Sequence, residues 1–139
     1  MGSHKIHISK TRSDKLDLLK SRLGLRPYVI CRLAIGKSLS IPESVYSYPI
    51  EDSAGREFNR YTLSGDFDSH YRALILQHEF EASQKKISEQ YYFSVYFRKH
   101  VERGIDLLYD EFIVINSPVR FLLSLISGDN GRQTTLDIE

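Results

Sequence analysis

Polar and apolar positions alternate at the start of the chain. In Lys5-Ile6-His7-Ile8-Ser9-Lys10 the two isoleucines share one face, and Lys5, His7 and Ser9 the other, the two-residue period of a strand with one buried side. A strand this short needs a mate. None follows nearby, so the expected mate is the same strand of a second subunit. The period then lengthens. Leu16, Leu19 and Leu23, widened by Leu18, recur at helical spacing, with Thr11 or Ser13 as cap and Gly24 as stop. After a turn at Leu25 and Arg26, Pro27 suits the first position of a second helix. Val29, Ile30, Leu33 and Ala34 give its apolar face, and the region of Gly36 and Ser38 ends it. Strand, helix, turn and helix in this order follow the plan of a ribbon-helix-helix module, in which paired strands enter the major groove.

Residues 40–65 break the periodicity. They hold Pro42, Pro49, Gly55 and Gly65 and read as a long loop. Asp66 is the expected cap of a helix over 66–80, with Phe67, Tyr71, Leu74 and Ile75 buried. Phe93, Phe97, Val101, Ile105 and Leu108 predict a helix over 87–109, although the aromatic run 91–97 also suits a strand. Ser117-Pro118 opens a last helix with Phe121, Leu122, Leu125 and Ile126 apolar, stopped by Gly128. The expectation is a mostly α fold in one domain, 1–128, followed by a disordered polar tail, 129–139. With no membrane-spanning run and no signal peptide, the expected location is the cytoplasm.

Charge changes this picture more than composition does. The net charge of +1 conceals a split: residues 1–37 hold nine Lys or Arg against Asp14 and Asp17, and the remainder holds ten against sixteen acids. A basic end on an acidic chain marks a partner, either nucleic acid or another acidic chain. Lys5 and His7 share a strand face with Ser9, Lys15 and Arg22 share a helix face away from the leucines, Lys20 flanks the stripe, and Arg26 precedes a helix N-terminus. Phosphate contact rather than base reading is the expected role. The candidate DNA-binding residues are Lys5, His7, Lys10, Arg12, Lys15, Lys20, Arg22 and Arg26.

Several stretches carry a family resemblance: Lys5-Ile-His-Ile-Ser9; the run Lys15-Leu-Asp-Leu-Leu-Lys-Ser-Arg-Leu-Gly-Leu-Arg-Pro-Tyr-Val-Ile-Cys-Arg-Leu-Ala34; Gly55-Arg-Glu-Phe-Asn-Arg-Tyr-Thr-Leu-Ser-Gly-Asp-Phe-Asp68; and His100-Val-Glu-Arg-Gly-Ile-Asp-Leu-Leu108. Together they resemble the DndE family, small proteins of bacterial DNA phosphorothioation (DNA sulfur modification) systems, counted with restriction-modification. The resemblance implies a mostly helical fold with a ribbon-helix-helix-like start, and a homo-tetramer. It also implies binding to duplex DNA through basic residues, with a preference for nicked duplex. In such systems sulfur replaces a non-bridging phosphate oxygen, and separate proteins mobilise and activate the sulfur and hydrolyse ATP. The implied role is a non-enzymatic accessory subunit with no cofactor. The competing readings are a ribbon-helix-helix repressor or antitoxin, against which the long helical part after Ser38 argues, and a scaffold with little DNA contact.

Other chemistry is thinly represented. There is no GxxxxGK[ST] phosphate loop and no GxGxxG. His70 and His78, near Glu79 and Glu81, are too far apart for the i, i+4 pair that metal sites favour. His100-Val101-Glu102 spells half of a zinc-deaminase signature without its PCxxC half. No metal is expected. Cys31, the lone cysteine, reads as a buried small hydrophobe, and the aromatics of 91–93 as core rather than a stacking platform.

Overall fold

The computed structural model describes residues 4–127; the expected tail, 129–139, lies outside them. Strand β1, Lys5–His7, leads into α1, Lys10–Leu23, and α2, Pro27–Leu39. Strand β2, Glu57–Asn59, runs into the short α3, Arg60–Ser64, then a 3₁₀ turn, Gly65–Phe67, and α4, Asp68–Ser83. A single turn, α5, Glu89–Tyr91, continues through a π-helical stretch, Tyr92–Phe97, into α6, Arg98–Ile115, and α7, Pro118–Ser127, follows. No described helix is long and apolar enough to cross a membrane.

The mate of β1 is in its own chain. β1 and β2 pair antiparallel, with Ile6 opposite Phe58, Lys5 opposite Asn59 and His7 opposite Glu57. The expectation that β1 lacks a mate nearby in its own chain, on which pairing between subunits rested, does not hold. Glu57-Phe58-Asn59 has strand alternation, but with a single apolar residue in a Gly/Ser-rich segment it gives almost no periodic signal. The segment before it is held against the end of β1 by Gly55 N–H to Ile8 O (2.8 Å) and Ile8 N–H to Arg56 O (3.1 Å).

Other boundaries also move. α1 starts at Lys10 with Ser9 as its N-cap residue, not Thr11 or Ser13: Ser9 is extended and its carbonyl accepts from the Ser13 amide, while its hydroxyl donates to Glu102 and does not cap the helix. Gly24 does stop α1, at φ +70 with its N–H on Lys20 O, and Pro27 opens α2. α2 passes through Gly36 to Leu39. Asp66 sits in the 3₁₀ turn, and α4 begins at Asp68. The aromatic run 91–97 is helical, not a strand; Tyr92, Phe93 and Phe97 are core.

α6 is the central element. It carries eight buried residues, including Val101, Ile105, Leu108 and Phe112, and packs along α2 and α1. The α2–α6 approach is so close that a Cβ on Gly104 would lie 1.9 Å from the Ala34 carbonyl oxygen and 2.6 Å from Ala34 Cα. Both obstacles are backbone, so the helices themselves would have to part. Gly104→Ala is therefore expected to destabilise the fold by about 3 kcal/mol, the upper end of overpacking costs, measurable as a lower urea midpoint.

Candidate nucleic-acid interface

The fold sorts the basic N-terminal residues into two groups. On β1, Lys5 and His7 project outward, opposite the buried Ile6, and both meet Glu57 across the strand pair, at 3.2 and 3.4 Å. Lys10 pairs with Asp14 one turn on, at 2.6 Å. Lys15 reaches Asp106 at 2.9 Å and lies 5.1 Å from the Tyr109 ring centroid. These cations are answered by acids from the same fold, which is where most of the N-terminal positive charge goes.

Arg12 is the extreme case. Its side chain is 6% exposed. The guanidinium donates to Asp106 through Nε (3.1 Å) and Nη2 (2.8 Å), and to Glu51, Glu102 and the Pro49 carbonyl through Nη1. It also lies over the Tyr48 ring. Burial alone would lower its pKa, but hydrogen bonds and charge from Asp106 raise it above the ordinary value. Burial alone would raise the Asp106 carboxyl, yet Arg12, Tyr48 and Lys15 together hold it below the usual aspartate value. The Tyr48 hydroxyl, half-buried and donating to Asp106, is pushed up to about 12. Arg12 thus faces inward, onto an acidic cluster that also takes in Ser9 and Arg98 through Glu102.

Lys20, Arg22 and Arg26 form the second group. Lys20 and Arg22 occupy the last turn of α1, and Arg26 is the N-cap residue of α2. All three are exposed. Among the described residues no acid lies within ion-pair distance of any of them. Arg22 is steadied without being neutralised: its guanidinium lies 4.9 Å from the Phe112 ring centroid and Nη2 is 3.4 Å from Asn116 Oδ1. α2 opens with Pro27 at its first position and no side-chain cap on its amides, so the partial positive charge of the helix end adds to the three cations. This end of the α1–α2 hairpin can hold phosphates.

Cys31 is fully buried, and desolvation pushes its thiol well above the ordinary value, the reverse of what a nucleophile needs. The native thiol is expected to resist a disulfide reagent until the chain unfolds, and Cys31→Ala to leave DNA binding unchanged. His70 is exposed and packs edge-on against Phe67, so it does not join His78, which turns inward toward Glu79 and His100. His100 and Glu102, adjacent in the apparent deaminase spelling, serve separate clusters.

Two buried groupings escaped the sequence reading. Arg12 is four residues before Leu16, so it lies on the leucine stripe itself, and a charge at a stripe position is a readable sign of a buried ion pair. The grouping of His78, Glu79 and His100 spans two helices, and spacing along the chain carries no sign of it.

The family model of the DNA sulphur modification protein DndE matches residues 5–115. No curated protein sequence matches the chain. Among solved structures, DndE from Escherichia coli B7A, involved in DNA phosphorothioation modification, superposes with a TM-score of 0.59 at 24% identity, covering 78% of this chain and 98% of that one. A DndE variant with two glycine-to-lysine changes gives 0.57 at 20% identity, with 77% and 98% covered.

Proposed function

The chain belongs to the DndE family of DNA sulphur modification proteins, and on that premise we propose that it is a DNA-binding accessory subunit of a DNA phosphorothioation system. It binds duplex DNA, nicked duplex in preference, works beside the other proteins of the system as a homo-tetramer, and performs no chemistry of its own. The observation that carries the DNA-binding part is the trio Lys20, Arg22 and Arg26, exposed cations at one end of the α1–α2 hairpin with no acid of the described residues within ion-pair distance. Nick preference follows from the family resemblance and fits a contact set of phosphates, since an end of a short hairpin meets backbone geometry rather than base edges. Lys5, His7, Lys10 and Lys15 are second-rank contacts, because a phosphate would have to compete with Glu57, Asp14 or Asp106 for them.

Self-association is supported by apolar side chains left in solvent at the end of α6 and on α7. Val114 is 84% exposed and Ile126 82%, with Ile113, Val119 and Leu123 also exposed, a cluster of the kind that marks contact surfaces. β1 has a mate in its own chain, so this apolar surface, and not an unpaired strand, is the support for assembly.

The scaffold reading draws on a specific observation too: five of the eight candidate cations, Lys5, His7, Lys10, Arg12 and Lys15, are within ion-pair distance of acids. Anisotropy titrations with an intact and a singly nicked duplex of one sequence, at several salt concentrations, decide between the readings. Tighter binding to the nicked duplex, with a log–log salt slope of roughly three per chain, is the expected result. No binding to either duplex at about 50 mM salt favours the scaffold.

A further inference from the structure

Beneath the loop that follows α2, two histidines and a glutamate from different helices meet in the interior. His78 and Glu79 are on α4 and His100 is on α6. His100 and Glu79 are 0% and 1% exposed at the side chain, and His78 is 10% exposed. Both imidazoles approach the same carboxylate oxygen: His100 Nε2 is 3.2 Å from Glu79 Oε2, and His78 Nδ1 is 3.4 Å from it.

The far side of each ring is fixed. His78 Nε2 is 2.6 Å from the Ile41 carbonyl oxygen, which can only accept, so that nitrogen carries the proton. With the ring neutral, the proton on Nε2 leaves a lone pair on His78 Nδ1. That atom is fully enclosed and makes no hydrogen bond, and it faces a carboxylate oxygen at 3.4 Å, so the approach is favourable only with positive charge between them, a proton on Nδ1 or a cation. His100 Nδ1 is 2.7 Å from Ser38 Oγ, itself anchored by Arg103 Nε at 2.8 Å. Glu79 Oε1 accepts from Ser44, and Oε2 also accepts from the Val45 amide at 3.2 Å. Ligand nitrogens whose opposite N–H is pinned by a carbonyl or hydroxyl, and a carboxylate oriented by further donors, form the outer shell that metal ligands require.

The geometry points to a divalent-cation site, zinc by ligand chemistry, formed by His78 Nδ1, Glu79 Oε2 and His100 Nε2, which ties α4 to α6 beneath the loop. Two nitrogens and one carboxylate oxygen are a zinc donor set. For metal–ligand bonds of about 2.0–2.1 Å a tetrahedron has edges of roughly 3.3–3.4 Å. Two of the three donor separations, 3.2 and 3.4 Å, are close to that edge, and all three atoms lie within 4.8 Å of one another. Arg103, bound to the same Ser38 hydroxyl as His100, places a positive charge near the site and limits its affinity. The site is structural, apart from the α1–α2 surface.

The test uses the full chain, stripped with chelator and dialysed, and titrated with zinc chloride by calorimetry and with cobalt(II) by visible absorption. The expected result is one zinc per chain, tetrahedral cobalt bands, and a melting temperature raised by roughly 5–10 °C at a hundredfold excess over Kd. The chain has five histidines. Replacing His4, His7 and His70, all exposed, by alanine leaves only His78 and His100 without touching the core. That triple variant is expected to bind zinc like the parent, while His78→Gln, whose amide can still donate to Ile41, is expected to weaken binding at least tenfold. Absence of stoichiometric zinc in the parent, or its loss in the surface-histidine variant, overturns the site.

Discussion

Replacing Lys20, Arg22 and Arg26 together by glutamate is expected to weaken duplex binding by at least two orders of magnitude, with the melting temperature almost unchanged. The stability half of the expectation rests on exposure: among the described residues none of the three makes an ion pair, and only Arg22 makes side-chain contacts of note, over Phe112 and at 3.4 Å to Asn116. The binding half rests on counterion release, in which each phosphate contact contributes roughly 0.9 to the log–log salt slope. Single alanine variants should each reduce the slope by about one and weaken intact and nicked duplexes alike. The matched control is Lys5, Lys10 and Lys15 to glutamate. It places new negative charge beside Glu57, Asp14 and Asp106, so its first effect should be on stability. If that control abolishes binding in a folded chain and the hairpin variant does not, the DNA surface lies along β1 and the start of α1.

The difference between these variants marks what the sequence could and could not disclose. The excess of positive charge near the N-terminus is legible at once. Its neutralisation is not, because the partners Glu51, Glu57, Glu102 and Asp106 arrive from 39 to 94 residues away. The inner ends of the α1–α2 hairpin were legible to the residue, its outer ends were not: the leucine stripe, Gly24 and Pro27 are local signals, and local physics decides them. β2 was not. Three residues with one buried phenylalanine become a strand only because β1 offers unpaired backbone groups that must be satisfied. The π-helical stretch Tyr92–Phe97 is of the same kind, since its extra residue per turn sets Tyr92, Phe93 and Phe97 together into a core that α4 and α6 have already shaped.

Arg12→Ala is expected to be the most damaging single substitution among the candidate DNA-binding residues, and its effect should appear in stability. Arg12 is the counter-charge for a buried cluster: Glu102 is 0% exposed and Asp106 16%. Removing it leaves two carboxylates on one face of α6, a turn apart, with Arg98 and Lys15 as the remaining cations. Breaking a buried pair by deleting one member costs about 3–5 kcal/mol, a large part of a total that for such domains is roughly 5–15 kcal/mol. Arg12→Lys should recover little of the loss, because one ammonium cannot reach Asp106, Glu51, Glu102 and the Pro49 carbonyl together as the guanidinium does. The pH dependence supplies a second check with a definite sign. In the parent, Asp106 is depressed below the ordinary aspartate value, so its contribution is complete above about pH 4 and is lost as the pH falls through its folded value. In Arg12→Ala the same carboxyl loses its main donor and protonates more readily, which relieves the repulsion. The gap in unfolding free energy between parent and variant should therefore be widest near pH 7 and narrow as the pH falls below about 4. A gap that stays constant from pH 7 to pH 3 would mean that Arg12 acts by packing its aliphatic stem and not by its charge.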